Sequence, residues 1–172
     1  MLKLISTGLE GPERASLDAA IELKYPWGGT CPLGRSGHYG PIPERYFTPN
    51  EFGALVEGSS SRPMQARSKN ALDADGSLVI RRAKAIIPPL CKQAIISIRN
   101  RRGKYKIVDP TRSYEVIQVV QWVVENEVKI LNITSDPKSD EDPFTKRTTV
   151  FMRDILNFTA TYYNHGVKIW TT

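Results

Sequence analysis

The hydrophobic residues of this chain fall into two kinds of segment. Short apolar runs are typical of strands buried within a sheet, and they lie at residues 2–6, 77–81, 104–109 and 128–134. Longer segments with apolar residues at helical spacing predict amphipathic helices. These helices are expected to begin at Pro12 and after Pro89, and to occupy residues 111–127 and 144–164. Residues 167–172 are compatible with a final edge strand.

Strand and helix segments alternate through most of the 172 residues. This alternation predicts parallel strands joined by right-handed crossovers, in a single three-layer α/β domain. Ligands of such open sheets bind beyond the carboxyl ends of the strands. The loops expected to carry chemistry therefore follow the strands, at residues 7–12, 28–46, 81–89, 110–113 and 135–143.

Two segments have the composition of connections rather than of regular elements. Residues 28–50 are dense in glycine and proline, which predicts a long irregular loop of the kind that is often functional. Residues 58–63, GSSSRP, predict a polar and mobile connection.

Charge and composition narrow the possible classes of function. The net charge of +6 permits an anionic partner. The densest basic run, Arg99–Lys106, is interpreted as a helix end followed by a glycine turn, in preference to a nucleic-acid patch. The two cysteines and two histidines show neither a disulfide framework nor metal-ligand spacing. No run approaches the roughly 20 apolar residues of a membrane span, and no signal peptide is recognisable, so the expected location is the cytoplasm.

The connection between the first strand and the first helix, ISTGLEGPERASLDAA, has the layout of an anion-binding loop. Gly8 and Gly11 could offer backbone N–H groups at the start of a helix, where the helix dipole favours an anion. The alternative is a tight turn that only packs the helix against the strand. Ser6 and Thr7 could bond the same anion or complete the end of the strand.

Three charged residues extend this candidate site. Arg14 lies in the first helical turn, and Arg35 lies in the glycine- and proline-rich segment. A guanidinium at either position could bind a phosphate or carboxylate with two hydrogen bonds, and an ion pair within the protein is the alternative. Asp75 could orient a ribose or a cation, or it could cap the turn at Gly76.

Three blocks of sequence together resemble the putative molybdenum carrier branch of the SLOG superfamily. They are RASLDAAIEL at 14–23, WGGTCPLGRSGHYGPIPERY at 27–46 and DADGSLVI at 73–80. The resemblance reaches about residue 156, and it implies one Rossmann-like domain with a mostly parallel sheet over residues 1–172. Residues 157–172 would form the end of the last helix and the edge strand. The resemblance also implies that the strand ends bind a nucleotide-type or phosphorylated small molecule, or an oxyanion such as molybdate or phosphate.

The chain departs from this family at positions where the family binds its ligand. Leu9 and Glu10 replace the glutamine and threonine of the first loop, and IIPPL at residues 86–90 replaces a second, glycine-rich loop. Prolines supply no N–H group, and isoleucines block the close approach of a phosphate to the backbone.

Besides nucleic-acid binding through Arg99–Lys106, which is not favoured, these observations leave three functions open. The leading expectation is a binding protein for a small phosphorylated ligand or oxyanion. The second is a non-catalytic, homo-oligomeric interaction module with a degenerate site, in which Ile86, Ile87 and Leu90 contribute to self-association. The third is a hydrolase of N-glycosidic bonds, similar to the phosphoribohydrolases of the superfamily. Glu10 and Glu13 are the candidate carboxylates for that chemistry, and the expectation favours binding over catalysis.

Overall fold

The structure is a computed structural model that describes residues 1–83, 87 and 89–165, without the side chains of Leu90, Asn164 and His165. The edge strand predicted at residues 167–172 lies outside the described residues. The strands are β1 (Lys3–Ile5), β2 (Trp27–Cys31), β3 (Gly53–Glu57), β4 (Gly76–Ile80), β5 (Lys104–Val108) and β6 (Ile130–Ser135). The helices are α1 (Pro12–Glu22), α2 (Pro63–Asp73), α3 (Pro89–Asn100), α4 (Glu115–Glu125) and α5 (Pro143–His165).

The six strands form one sheet in the order β3-β2-β1-β6-β4-β5, and every pair in it is parallel. The register aligns Leu4 of β1 with Trp27 of β2 and with Leu131 of β6. β6, the last strand among the described residues, therefore lies at the centre of the sheet, beside β1. This arrangement confirms the predicted α/β fold with a parallel sheet.

The helices form two layers. Helices α1 and α4 each pack against α5, and α2 packs against α3. With right-handed crossovers, the loops after β1 and β6 lead to one face of the sheet, and those after β3 and β4 lead to the other. Neighbouring loops that leave in opposite directions open a crevice at the carboxyl edge, which is where ligands of such sheets bind.

The core brings together apolar side chains from both ends of the chain. Its largest fully buried members include Trp27, Tyr46, Leu131, Phe144 and Met152. The paired glycines at the start of β2 are part of this packing, because a Cβ atom at Gly29 would lie 2.1 Å from the carbonyl oxygen of Ser6. The end of β1 can therefore approach β2 only where the side chain is absent.

Two regular elements escaped the sequence prediction, β3 and α2. β3 is an edge strand with a single buried side chain, Leu55, so it shows no apolar run. The buried residues of α2 are Ala66, Arg67 and Asn70, so its inward face is mostly polar and the usual helical periodicity is missing.

The prediction of a wholly irregular loop over residues 28–50 was wrong in part. β2 continues through this segment to Cys31. Two short 3-10 helices follow, at Leu33–Arg35 and Glu44–Tyr46. The glycines of β2 obscured the strand in the sequence, because glycine weakens strand propensity while permitting close backbone approach.

None of the helices in the described part of the chain combines the length and apolar character that crossing a bilayer requires.

Candidate functional site

The end of β1 is tied to the first turn of α1 by hydrogen bonds among its own residues. The Ser6 hydroxyl donates to the Glu13 carbonyl oxygen at 3.0 Å, and the Thr7 hydroxyl donates to the Glu13 carboxylate. The backbone N–H of Gly8 donates to the Ser6 hydroxyl at 3.2 Å. A Cβ at Gly8 would lie 2.5 Å from Leu55, so apolar side chains fill the space beside this glycine. Ser6, Thr7 and Gly8 thus stand inside the protein, and their predicted contact with a ligand stays a prediction.

A buried ion pair lies behind this turn. Arg67 of α2 donates through Nε to Oε1 of Glu13 at 2.8 Å, and both side chains are almost completely shielded from solvent. The same Glu13 oxygen accepts the backbone N–H of Ser135, at the end of β6, at 3.1 Å. Glu13 therefore joins α1, α2 and β6 at the carboxyl edge of the sheet.

The outer edge of the Arg67 guanidinium makes no hydrogen bond within the described part of the chain, and its charge acts on the Asp136 carboxylate only at longer range. Its Nη1 and Nη2 atoms are buried and have no hydrogen-bond partner among the residues that the structure describes, as is also true of the hydroxyls of Thr134 and Ser135. Buried donors without an acceptor are rare and costly in native proteins. Both α2 and β6 thus contribute buried polar atoms without a hydrogen-bond partner, among the described residues, at the carboxyl edge of the sheet.

Arg67 is also part of the wall of a cavity of about 380 Å³. The other walls come from the first loop, the segment after β2, the start of α2 and the loop after β6: Leu9, Ser36, Gly37, His38, Ser61, Arg62, Pro63, Met64 and Pro137. Because the cavity lies at the N-terminus of α2 and includes Arg62, its electrostatic character favours an anion. We call it the Arg67 cavity.

A second cavity of about 370 Å³ lies across the carboxyl ends of β4 and β6. Three cations and one carboxylate line it, together with Pro12, Ile80 and Phe144: Arg81, Arg82, Lys138 and Asp136. The Arg82 guanidinium lies 5.2 Å from the centre of the Phe144 ring. Burial raises the pKa of Asp136, and the Cys91 thiol lies 3.5 Å from this carboxylate.

Glu10 holds the glycine-rich segment against the first loop. Its carboxylate accepts the backbone N–H groups of His38 at 2.9 Å and of Tyr39 at 3.2 Å. The absence of a side chain at Gly37 permits this, since a Cβ there would lie 2.2 Å from a Glu10 oxygen. Both carboxylates nominated for catalysis, Glu10 and Glu13, therefore already accept hydrogen bonds at both oxygens.

Gly11 and Arg14 face a carboxylate of the protein itself. The Gly11 N–H donates to Oδ1 of Asp140 at 2.9 Å, and Arg14 Nη1 donates to Oδ2 of Asp140 at 2.6 Å. Arg14 also donates through Nε to the Gly8 carbonyl oxygen at 3.1 Å. These two predicted ligand-binding residues thus lie together, with Asp140 between them.

The remaining predicted site residues lie apart from this group. Arg35 forms ion pairs with Glu44 and Glu57, and its guanidinium lies 4.0 Å from the centre of the Phe47 ring. This is the ion pair named above as the alternative to ligand binding.

Asp75 precedes β4 and therefore lies at the opposite, amino edge of the sheet. Its carboxylate accepts the backbone N–H groups of Lys129 and Ile130 at 3.0 and 2.8 Å. This contact orders the start of β6, and it places Asp75 away from the other candidates.

Sequence reasoning missed Arg67, Arg82, Lys138 and Asp140. Arg67 and the neighbouring Asn70 stand at helical spacing on the buried face of a helix with little apolar character. That pattern of polar residues was the available signal. For metal binding, no group of three histidine, cysteine, aspartate or glutamate side chains with suitable geometry occurs among residues 1–83, 87 and 89–165.

Comparisons with known proteins agree with this architecture. The sequence matches the circularly permutated YpsA SLOG family over residues 4–156. The chain is also similar to the crystal structure of a putative molybdenum carrier protein from Syntrophus aciditrophicus SB, with 26% sequence identity and a TM-score of 0.78. That similarity covers 91% of this chain and 95% of the other. A comparison with curated proteins finds no match.

Proposed function

Since this chain belongs to the circularly permutated YpsA SLOG family, as its sequence blocks predict, we propose that it binds an anionic small molecule at the carboxyl edge of its sheet. The ligand classes are phosphorylated or nucleotide-type molecules and oxyanions. The similar solved structure is called a putative molybdenum carrier protein, so molybdate belongs among the oxyanions to be tested.

One observation carries this proposal, the half-paired guanidinium of Arg67. A guanidinium keeps its positive charge in proteins and has five N–H donors in a planar fork. Glu13 accepts the hydrogen bond from Nε, while Nη1 and Nη2 are buried and have no acceptor within residues 1–83, 87 and 89–165. Both atoms are shielded from solvent, so a ligand phosphate or carboxylate would accept the two remaining hydrogen bonds, in the bidentate geometry that suits such anions, once the side chains that cover them move aside.

The surroundings of Arg67 indicate the shape of the ligand. A volume of about 380 Å³ lies within the usual range of small-molecule sites. Arg62 and the N-terminus of α2 add positive charge, whereas Leu9, Met64 and Pro137 offer apolar surface. We therefore expect a ligand with an anionic group next to Arg67 and an organic part on the apolar wall.

Calorimetric titration and thermal-shift measurements test the proposal with phosphate, molybdate, ribose 5-phosphate and AMP. Arg62→Gln removes one charge from the wall of the cavity and should weaken binding about three- to tenfold. The control is Lys69→Gln, which removes one charge from an exposed position of α2 and should leave binding unchanged. If none of the four compounds binds at millimolar concentration, the proposal is wrong.

A second candidate is the non-catalytic, oligomeric module with a degenerate first loop. This candidate is supported because the protein itself fills the space beside the first loop. Apolar side chains pack beside Gly8, and the Asp140 carboxylate accepts the Gly11 N–H. Of the residues named for self-association, Ile87 packs against the buried cluster of Val79, Cys91 and Ile95, while Ile86 and the Leu90 side chain lie outside the described residues. A monomer in light scattering that also binds one of the four compounds would contradict this candidate.

The hydrolase alternative would need a carboxylate that can exchange a proton with a substrate. Glu10 and Glu13 accept hydrogen bonds from the protein at both oxygens, which gives this alternative less support than binding. A cytoplasmic location and homo-oligomeric assembly stay part of the proposal.

A further inference from the structure

The N-terminus of α1 contains the parts of an anion site in addition to the Arg67 cavity. The helix is 11 residues long, and the N–H of Gly11 at its start points toward an acceptor. Arg14 lies one turn further, with its guanidinium beside the same acceptor. A helix N-terminus with a cation in its first turn is a favourable position for an oxyanion.

The acceptor in this position is the carboxylate of Asp140, from the loop between β6 and α5. One oxygen accepts the Gly11 N–H at 2.9 Å, and the other pairs with Arg14 Nη1 at 2.6 Å. This two-point contact has the geometry that a bound phosphate or sulfate would use at the same donors. The Asp140 side chain remains 44% exposed, so its contact can be exchanged for one with a solute.

A second observation indicates that this position can hold more than one carboxylate. The Arg14 residue is 7% exposed, and its Nη2 atom is buried with no hydrogen-bond partner in the described part of the chain. Glu10 forms an ion pair with Nη2 at 3.6 Å, which is too long for a hydrogen bond. A tetrahedral oxyanion has more acceptor oxygens than a carboxylate and could satisfy this donor as well.

The loop that carries Asp140 fits closely over the start of α1. A Cβ atom at Gly11 would lie 2.8 Å from the backbone nitrogen of Lys138, so only glycine permits this contact. The same loop contributes Asp136 and Lys138 to the second cavity, at the carboxyl ends of β4 and β6, and Pro137 to the Arg67 cavity. The position of loop 136–140 therefore sets the walls of both cavities.

We propose that Asp140 is an internal competitor for the α1 anion position, and that release of its carboxylate admits an external oxyanion and frees loop 136–140 to move. In the structure as described, the first loop is a closed anion site occupied by the protein itself. The inference concerns Gly11 and Arg14, and it does not depend on what binds at Arg67.

Inorganic phosphate is the probe that tests this inference, with ¹⁵N-labelled protein. In Asp140→Ala, phosphate should bind at least about tenfold more tightly than in the wild type, since the competing charge-assisted contact is gone. The Gly11 amide resonance should move during the titration. Glu141→Ala removes an exposed carboxylate from the next position and is the control, for which no gain is expected.

One further single variant and two added substitutions separate the possible outcomes. Asp140→Asn keeps an acceptor oxygen for Gly11 but loses the charge, so a smaller gain is expected. Asp140→Asn also replaces Asp140→Ala in the titration if the alanine variant does not fold. Adding Arg14→Gln to either variant should remove the gain, whereas adding Arg62→Gln should not, because Arg62 belongs to the other cavity. Equal phosphate affinity of the wild type and both Asp140 variants, or a Gly11 resonance that stays in place, would overturn the inference.

Discussion

Breaking the buried Glu13–Arg67 ion pair should destabilise this protein far more than breaking an ion pair at its surface. Glu13 is fully buried and Arg67 is 3% exposed, with Nε and Oε1 at 2.8 Å. Glu13→Gln keeps the size of the side chain but removes the hydrogen-bonded counter-ion of the buried Arg67 charge, which leaves only the more distant Asp136 carboxylate. Removal of one partner of such a pair typically costs about 3–5 kcal/mol of unfolding free energy. At roughly 2–4 °C per kcal/mol for a chain of this length, the midpoint of thermal unfolding should fall by about 6–20 °C.

Urea and thermal unfolding followed by circular dichroism measure this cost. Arg67→Met should be destabilising to a similar degree, and the double variant should lose less than the sum of the two, because both charges are then absent. Lys69→Met breaks the exposed pair with Asp73 on the same helix and should cost at most about 1 kcal/mol. Single variants that cost less than about 1 kcal/mol, or a double variant that shows simple additivity, would refute the reasoning.

Three further predictions concern packing, pH and thiol reactivity. Gly29→Ala should lower the stability of the fold in urea unfolding, because its Cβ would lie 2.1 Å from the Ser6 carbonyl oxygen at a φ of +125°, and wild-type stability would contradict this. Burial raises the pKa of Asp136, so its ionised form disfavours folding. Asp136→Asn should therefore gain stability over the wild type as pH rises past about 4, with no gain below that value, and a gain independent of pH would argue against this cause. Burial also raises the pKa of Cys31 to about 11 and that of Cys91 to about 12. Both thiols should react with a disulfide reagent at pH 8 only as fast as the protein unfolds, and rapid reaction of the folded protein would show that they are accessible.

Most elements of the fold were predictable from local patterns in the sequence. The short apolar runs became β1, β4, β5 and β6, and the segments with helical periodicity became α1, α3, α4 and α5. These patterns are informative because a strand or helix in an α/β domain buries one continuous apolar surface. β3 and α2 had no such signal, since one is an edge strand and the other buries polar residues.

The candidate site was predictable only where its residues are neighbours in the chain. The glycine turn of the first loop could be recognised from ISTGLEG, and the resemblance to the SLOG superfamily added Arg14 and Arg35. Of these, Gly11 and Arg14 do meet at one place, but the acceptor they meet is Asp140. Arg35 and Asp75 instead form contacts elsewhere on the molecule.

Local periodicity and turn chemistry were sufficient to predict an alternating α/β chain with a glycine turn after its first strand. Which side chains lie opposite one another depended on the order of the strands, because β6 inserts beside β1. That order brings Arg67 to Glu13 across 54 residues and Asp140 to Arg14 across 126. Charged residues so distant in sequence become partners through sheet topology and burial. A local sequence pattern predicts neither the topology nor the burial. The state of the first loop, occupied by a carboxylate of the same chain, was therefore decided by the tertiary structure.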